Sequence, residues 1–115
     1  MIDYSKVQVG QVYWYSCLRF TNKTRRDKIN KSRSIKPVQL EIKERVSSGG
    51  WWGILKKFGT SVFINISTSK FLFATKEEAV EYWNYNIQDA IEFQEFHYQE
   101  SVKYLKKNMI QDDKG

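Results

Sequence analysis

The fold is decided by one stretch of the chain, Val38-Gln39-Leu40-Glu41-Ile42-Lys43-Glu44-Arg45-Val46-Ser47-Ser48-Gly49-Gly50-Trp51. Apolar and polar side chains alternate from Val38 towards Val46, which predicts a strand with one buried face. The Ser-Ser-Gly-Gly segment is a strong turn signal, and the apolar run from Trp51 to Phe58 predicts the returning strand. The stretch therefore predicts a β-hairpin.

Further strand signals lie on both sides of this hairpin. Gly10 precedes the aromatic and β-branched run from Val12 to Phe20, and two shorter runs follow at 62–67 and 71–73. In the first run, the predicted core face consists of Val12, Trp14, Leu18 and Phe20, and the predicted outer face of Tyr13, Tyr15 and Arg19. Together these runs predict a small antiparallel sheet or SH3-like barrel of four to five strands.

At Thr75 the hydrophobic period changes from strand to helix. Thr75, Glu77 and Glu78 belong to a capping-box pattern, and no Gly or Pro follows until the last residues. We expect one long helix, or two with a subtle bend, over residues 76–109, and fraying of residues 111–115. Its apolar stripe should cover the sheet; it comprises Val80, Trp83, Ile87, Ala90, Ile91, Tyr98, Val102, Leu105 and Met109. The sequence thus predicts one α+β domain spanning 1–115.

The positive charge of the chain is concentrated in residues 19–36, called the basic arm below. The arm carries eight cations and one acid, a net +7 against +6 for the whole chain, so the rest sums to −1. Its cations are Arg19, Lys23, Arg25, Arg26, Lys28, Lys31, Arg33 and Lys36. We interpret the arm as an exposed, mobile loop or hairpin tip whose cations bind phosphate or an acidic host protein; a merely solubilising loop is the alternative.

The predicted helix is acidic, since seven Asp and Glu residues and no Lys or Arg occur between 77 and 100. This face could attract the arm of the same molecule or that of a second copy, which makes a homodimer possible. It could also repel nucleic acid towards the opposite side, or simply be exposed without a partner.

Several aromatic residues are candidate contact residues. Gly49-Gly50-Trp51-Trp52 places two indoles on opposite faces of a strand, so Trp52 could face outward and stack on a base, although cross-strand packing is the alternative. Tyr82, Phe93 and Phe96 project away from the main helical stripe. They need cover from the same chain or from a protein partner.

Catalysis and metal binding have little support in the sequence. The single His97 and the single Cys17 are 80 residues apart, and no Gly-rich phosphate loop or nucleophile elbow occurs. Cys17 is expected to be a buried apolar residue. The first residues, Met1 to Lys6, lack the apolar stretch that is typical of a signal peptide, and eighteen apolar residues nowhere run together. We therefore expect a cytoplasmic protein that has no enzymatic activity, cofactor, metal or membrane partner.

Two segments carry a family resemblance: Val7-Gln8-Val9-Gly10-Gln11-Val12-Tyr13 and Phe73-Ala74-Thr75-Lys76-Glu77-Glu78-Ala79. With the strands between them, they resemble small accessory proteins of tailed bacteriophages, of the host-takeover or anti-defence type. Such proteins often pair an SH3-like strand meander with a helix begun by Thr-Lys-Glu-Glu-Ala. The basic insertion at 21–34 and the long aromatic helix depart from that pattern, so no site residue is carried over.

The resemblance implies a phage-encoded, non-enzymatic protein in the cytoplasm of the host cell. Combined with the arm, it suggests a binding protein for host nucleic acid or a nucleoprotein. The alternative is an inhibitor or adaptor of a host defence or replication protein, docked through the aromatic helix face.

Overall fold

A computed structural model describes residues 2–110; the predicted fraying of residues 111–115 lies outside the described residues. One antiparallel sheet contains five strands: β1 (Val12–Cys17), β2 (Ile35–Arg45), β3 (Trp51–Leu55), β4 (Ser61–Ile64) and β5 (Leu72–Phe73). Two α-helices follow, α1 (Lys76–His97) and α2 (Gln99–Lys106), and single 3-10 turns occupy Tyr4–Lys6 and Ser69–Phe71. The predicted α+β class with a small antiparallel sheet is confirmed.

The strand order is β4-β3-β2-β1-β5, a meander of four strands with the fifth added beside the first. The predicted hairpin is confirmed, because Leu40 of β2 lies opposite Leu55 of β3 and Arg45 lies opposite Trp51. Gly50 has a φ of +95°, which favours glycine, and its carbonyl accepts a hydrogen bond from Val46 N at 3.0 Å. The local turn chemistry therefore fixes the register between β2 and β3.

The predicted faces of β1 are wrong. Tyr15 is 7% exposed in the core, whereas Val12 is 42% exposed and Trp14 is half-buried on the other face. The reason is the register with β2: Tyr15 lies opposite Val38, and residues directly opposite in a sheet point to the same side. A register shift between Tyr15 and Cys17 then ends the simple alternation. Cys17 is buried, as expected.

Two hydrophobic clusters form the interior. The sheet cluster consists of Val7, Tyr15, Cys17, Val38, Leu40, Ile42, Leu55, Ile64, Phe71 and Leu72. The helical cluster consists of Leu18, Ile29, Trp83, Ile87, Ala90, Ile91, Val102 and Leu105. The helical stripe thus packs largely on itself, across α1 and α2, and on Leu18 and Ile29 beside and within the arm. The helix α1 also contacts β1, β2 and β5, so it covers the sheet as expected and in addition packs on the arm.

The helical region is a hairpin rather than a gently bent helix. Tyr98 has extended backbone angles (φ −148°, ψ 98°) and separates α1 from α2. The chain after α2 returns to the start of α1, where Trp83 Nε1 donates to the Asn108 carbonyl at 3.0 Å. Asn84 Nδ2 likewise donates to the Ile110 carbonyl. The predicted N-cap is confirmed, since Thr75 Oγ1 accepts from Glu78 N at 3.2 Å.

Candidate functional site

The basic arm is an ordered hairpin loop. Phe20 pairs with Ile29 as an isolated antiparallel bridge, and Asn30 N donates to the Arg19 carbonyl at 2.8 Å. At the tip, Asn22 Oδ1 accepts from the amides of Thr24 and Arg25 at 3.0 Å each. The sequence predicts either a mobile loop or a hairpin tip for the arm, and the structure has the hairpin tip.

The tip of the arm docks on the helices instead of projecting freely. Arg26 Nη1 lies 2.6 Å from Asp89 Oδ2, and the Arg26 guanidinium lies 4.9 Å from the centre of the Phe93 ring. The Arg25 guanidinium lies 4.3 Å from the centre of the Tyr98 ring. The prediction of a free cationic arm is therefore wrong at the tip, because part of the acidic helix attracts the arm of the same molecule.

Two further contacts stabilise the docked position of the arm tip. Gln94 is fully buried, and its side-chain Nε2 donates a hydrogen bond to the Arg25 carbonyl. Arg25 Nε also pairs with Asp27 Oδ2 at 2.9 Å. A phosphate could recruit Arg25 or Arg26 only by competing with these contacts.

The other arm cations have different surroundings. The Arg19 guanidinium lies 5.2 Å from the centre of the Phe71 ring. Within residues 2–110, Lys23, Lys28 and Arg33 are exposed and make no ion pair. Lys31 and Lys36, at the base of the arm, line a cleft.

This first cleft, of about 500 Å³, lies between the base of the arm, the start of β2, the β3–β4 turn and α1. Its charged residues are Lys31, Lys36 and Lys57. Its apolar lining comprises Ile29, Ile35, Pro37, Val38, Phe58 and Trp83. Trp83 is 2% exposed and belongs to the floor, whereas Phe58 is 57% exposed and stands at the rim.

A second cleft of about 450 Å³ shares Pro37, Val38 and Lys57 with the first and extends onto the face of the sheet that carries Trp14 and Gln39. It adds Lys56 and Lys76, and Trp14 provides its aromatic surface. We call the two clefts together the lysine groove, whose cations are Lys31, Lys36, Lys56, Lys57 and Lys76.

The lysine groove has one sign of charge. In the part of the chain that the structure describes, neither cleft is lined by an Asp or Glu side chain. Two lysines lie over aromatic rings, with Lys57 Nζ 5.7 Å from the centre of Phe58 and Lys76 Nζ 5.9 Å from that of Trp14. A cleft lined by cations on an apolar floor concentrates anions near its surface.

Acidic residues line a different surface of α1. A cleft there is lined by Glu77, Glu81 and Tyr85, and an adjoining one by Glu78, Glu81 and Tyr85. The molecule therefore separates its charges, with an acidic helix surface apart from the lysine groove.

Trp52 does not lie beside the arm. It is opposite Glu44, at the far end of β2 from Ile35, where the arm joins that strand. Its ring contacts Phe63 across the β3–β4 pair, with ring centres 5.3 Å apart. The structure thus gives Trp52 the cross-strand packing role and separates it from the basic arm. Trp14, by contrast, lies beside Lys76 in the second cleft.

The three aromatic residues predicted on the second helical row have unlike surroundings. Tyr82 is half-buried, its ring centre 5.2 Å from that of Phe73, and its hydroxyl accepts from Leu18 N at 2.8 Å. Phe93 is half-buried under Arg26. Phe96 is 84% exposed and contacts His97. Tyr82 therefore has cover from its own chain, and Phe96 is the most open of the three.

Sequence reasoning missed the groove residues Lys56, Lys57, Lys76, Trp14 and Phe58. A partial signal exists, because Lys56-Lys57-Phe58 immediately precedes Gly59 in a turn. The decisive contact is between strands: Lys56 N donates to the Gln39 carbonyl at 2.9 Å and brings this turn beside β2. No local pattern reveals that pairing.

Within residues 2–110, no group of three or more His, Cys, Asp or Glu side chains could hold a metal ion. No helix among these residues is long and apolar enough to span a bilayer. Comparison with known families, characterised proteins and solved structures finds no match for the chain. The relation to phage accessory proteins therefore stays a prediction from the sequence.

Proposed function

We propose that this protein is a non-enzymatic nucleic-acid-binding protein whose lysine groove holds a phosphate backbone. One observation carries the proposal: five lysines from separate parts of the chain converge on two adjoining clefts whose described lining contains no acid. Cations placed along a groove displace the counterions condensed on a nucleic acid, which is the main source of its affinity. The resemblance to phage proteins supports host nucleic acid or a nucleoprotein as the partner.

The charges outside the groove also favour binding of a nucleic acid on the lysine groove. Lys23, Lys28 and Arg33 are exposed on the arm that supplies Lys31 and Lys36, so they extend the positive field beyond the groove. The acidic surface around Glu77 and Glu81 of α1 repels phosphate. The arm thus contributes through its base and exposed side chains, while Arg25 and Arg26 hold its tip on the helices.

Salt-dependent binding tests this function. The variant Lys36→Gln/Lys57→Gln removes two groove cations, and Lys103→Gln/Lys106→Gln removes two exposed cations of α2 as the matched control. Affinity for a labelled oligonucleotide is measured between about 50 and 200 mM salt. We expect the groove variant to flatten the slope of log K against log salt by about 0.7 to 0.9 per lost phosphate contact. The control should keep the wild-type slope. No binding at the lowest salt, or equal losses in both variants, would refute the proposal.

A second candidate is docking on a host protein, favoured by the 84% exposure of Phe96. Large exposed aromatic side chains are frequent anchors of protein interfaces. In this case Phe96→Ala abolishes recovery of a partner from host lysate, and nuclease treatment leaves the recovery of the wild type intact. Recovery that is lost with nuclease, or unchanged by the substitution, counts against this candidate.

A further inference from the structure

We infer that the lysine groove selects single-stranded nucleic acid, with an unstacked base held against Phe58 in the first cleft. This inference rests on the proposed function and narrows it to one class of ligand. The inference depends on the apolar and aromatic surface that lies between the lysines. A site that only contacted phosphates would not need such a surface.

The groove repeats one local arrangement. Lys57 lies over Phe58 in the first cleft, and Lys76 lies over Trp14 in the second, with Lys57 lining both clefts. In each unit the ammonium group lies over an aromatic ring. A base that stacks on the ring takes the place of the ammonium group, which then contacts the phosphate of the same strand. A single strand has the matching repeat, because each nucleotide carries one base and one phosphate.

The shape of the first cleft favours a free base over a paired one. Behind the exposed ring of Phe58 lie Ile29 and Trp83, both nearly buried, so a planar ligand that enters meets an apolar floor. The bases of a duplex are stacked and paired, and entering such a cleft would cost the energy of flipping one out. An unpaired strand does not have that cost.

Asn108 adds a polar group to this apolar lining. Its side-chain Nδ2 donates to the Tyr104 carbonyl, while its Oδ1 accepts no hydrogen bond within residues 2–110. An amide oxygen can accept from an amino group on a base edge. An acidic peptide would match the lysines but supplies no regular alternation of flat ring and anion, so the groove fits a nucleic acid strand better.

The test compares wild type, Phe58→Ala, Phe58→Tyr and Phe96→Ala by fluorescence anisotropy. Phe58 and Phe96 are both exposed phenylalanines, 57% and 84%, so neither substitution removes a core side chain. The probes are single-stranded DNA and RNA of one sequence, the corresponding DNA duplex, and polyglutamate as the acidic peptide. Circular dichroism verifies that each variant is folded.

We expect the wild type to bind at least one single strand about tenfold more tightly than the duplex. Phe58→Ala should weaken single-strand binding about 5- to 100-fold, the loss of one base stack, and leave duplex binding unchanged. Phe58→Tyr should restore the affinity, and Phe96→Ala should behave as wild type. A difference in affinity between single-stranded DNA and single-stranded RNA shows which sugar the groove accepts. Tighter binding of either one than of the duplex supports the inference.

Three results overturn it. If the duplex binds as tightly as both single strands, the single-strand selection fails and the proposed function stands. If polyglutamate binds as tightly and with the same dependence on Phe58, the groove is a peptide site. If no nucleic acid binds at low salt, the proposed function fails together with this inference.

Discussion

At the scale of single residues, Tyr15 is the clearest link between burial and ionisation. Removal from water, reinforced by Cys17, raises its pKa from 10.0 to about 12. A phenol whose pKa is higher in the folded state holds its proton more tightly there than in the unfolded chain. The resulting stability is full below about pH 10 and is lost as the pH rises towards 12.

We therefore expect the free energy of unfolding to fall less steeply between about pH 10 and 12 in Tyr15→Phe than in the wild type. The fall should not vanish, because burial also raises the pKa of Tyr82. Urea unfolding at several pH values measures the slope. Tyr85→Phe, which alters a tyrosine that is 72% exposed, is the control and should follow the wild type. An identical slope in Tyr15→Phe would contradict the assigned burial.

The position of Tyr15 also shows a limit of local sequence patterns. Alternation along β1 defines two faces, but it does not say which face is buried when both contain large apolar side chains. Pairing with Val38 decides this, and that residue lies 23 positions later in the chain. The strand was predictable, whereas its inner face was not.

At the scale of elements, features set by neighbouring residues were predicted correctly and features set by distant contacts were not. The Gly49-Gly50 turn and the Thr75 cap depend on side chains within a few positions, so the hairpin and the start of α1 follow from sequence. The reversal at Tyr98 contains no Gly or Pro. It is held by contacts such as Trp83 with Asn108, which no local period records.

The docked arm allows a prediction at this scale. Arg26→Ala removes both the ion pair with Asp89 and the contact with Phe93, each of modest strength because the groups are partly exposed. We expect amides in residues 21–28 to exchange hydrogen about three- to tenfold faster, with the sheet unchanged. Lys23→Ala is the matched control, since the Lys23 side chain is exposed. Equal exchange in the two variants would show that the Arg26 side chain does not hold the arm.

At the scale of the whole molecule, the candidate site shows what charge counting can and cannot find. The arm is visible in the sequence because its cations are adjacent along the chain, and Lys31 and Lys36 of the groove were among the predicted ligands. Lys56, Lys57 and Lys76 come from the β3–β4 turn and the start of α1. Folding brings them beside the arm, so the groove exists only in three dimensions.

The two hydrophobic clusters meet at Tyr82, which packs against both. Its ring contacts Phe71 and Phe73 of the sheet side, and its hydroxyl accepts from the amide of Leu18 on the helical side. Tyr82→Phe keeps the ring and leaves that partly buried amide without its acceptor. We expect a loss of about 1 to 3 kcal/mol in the free energy of unfolding, the cost of an unpaired buried donor.

The same variant tests whether the clusters unfold together. If Tyr82 couples them into one cooperative unit, the slowest-exchanging amides of β2 and of α1 lose protection by the same free energy at neutral pH. Tyr85→Phe, one turn further along α1 and exposed, should change neither. Loss of protection confined to α1 would mean that the helical cluster opens separately from the sheet. The arm contributes Ile29 to that cluster, so such opening would also release the arm base that supplies Lys31 and Lys36 to the groove.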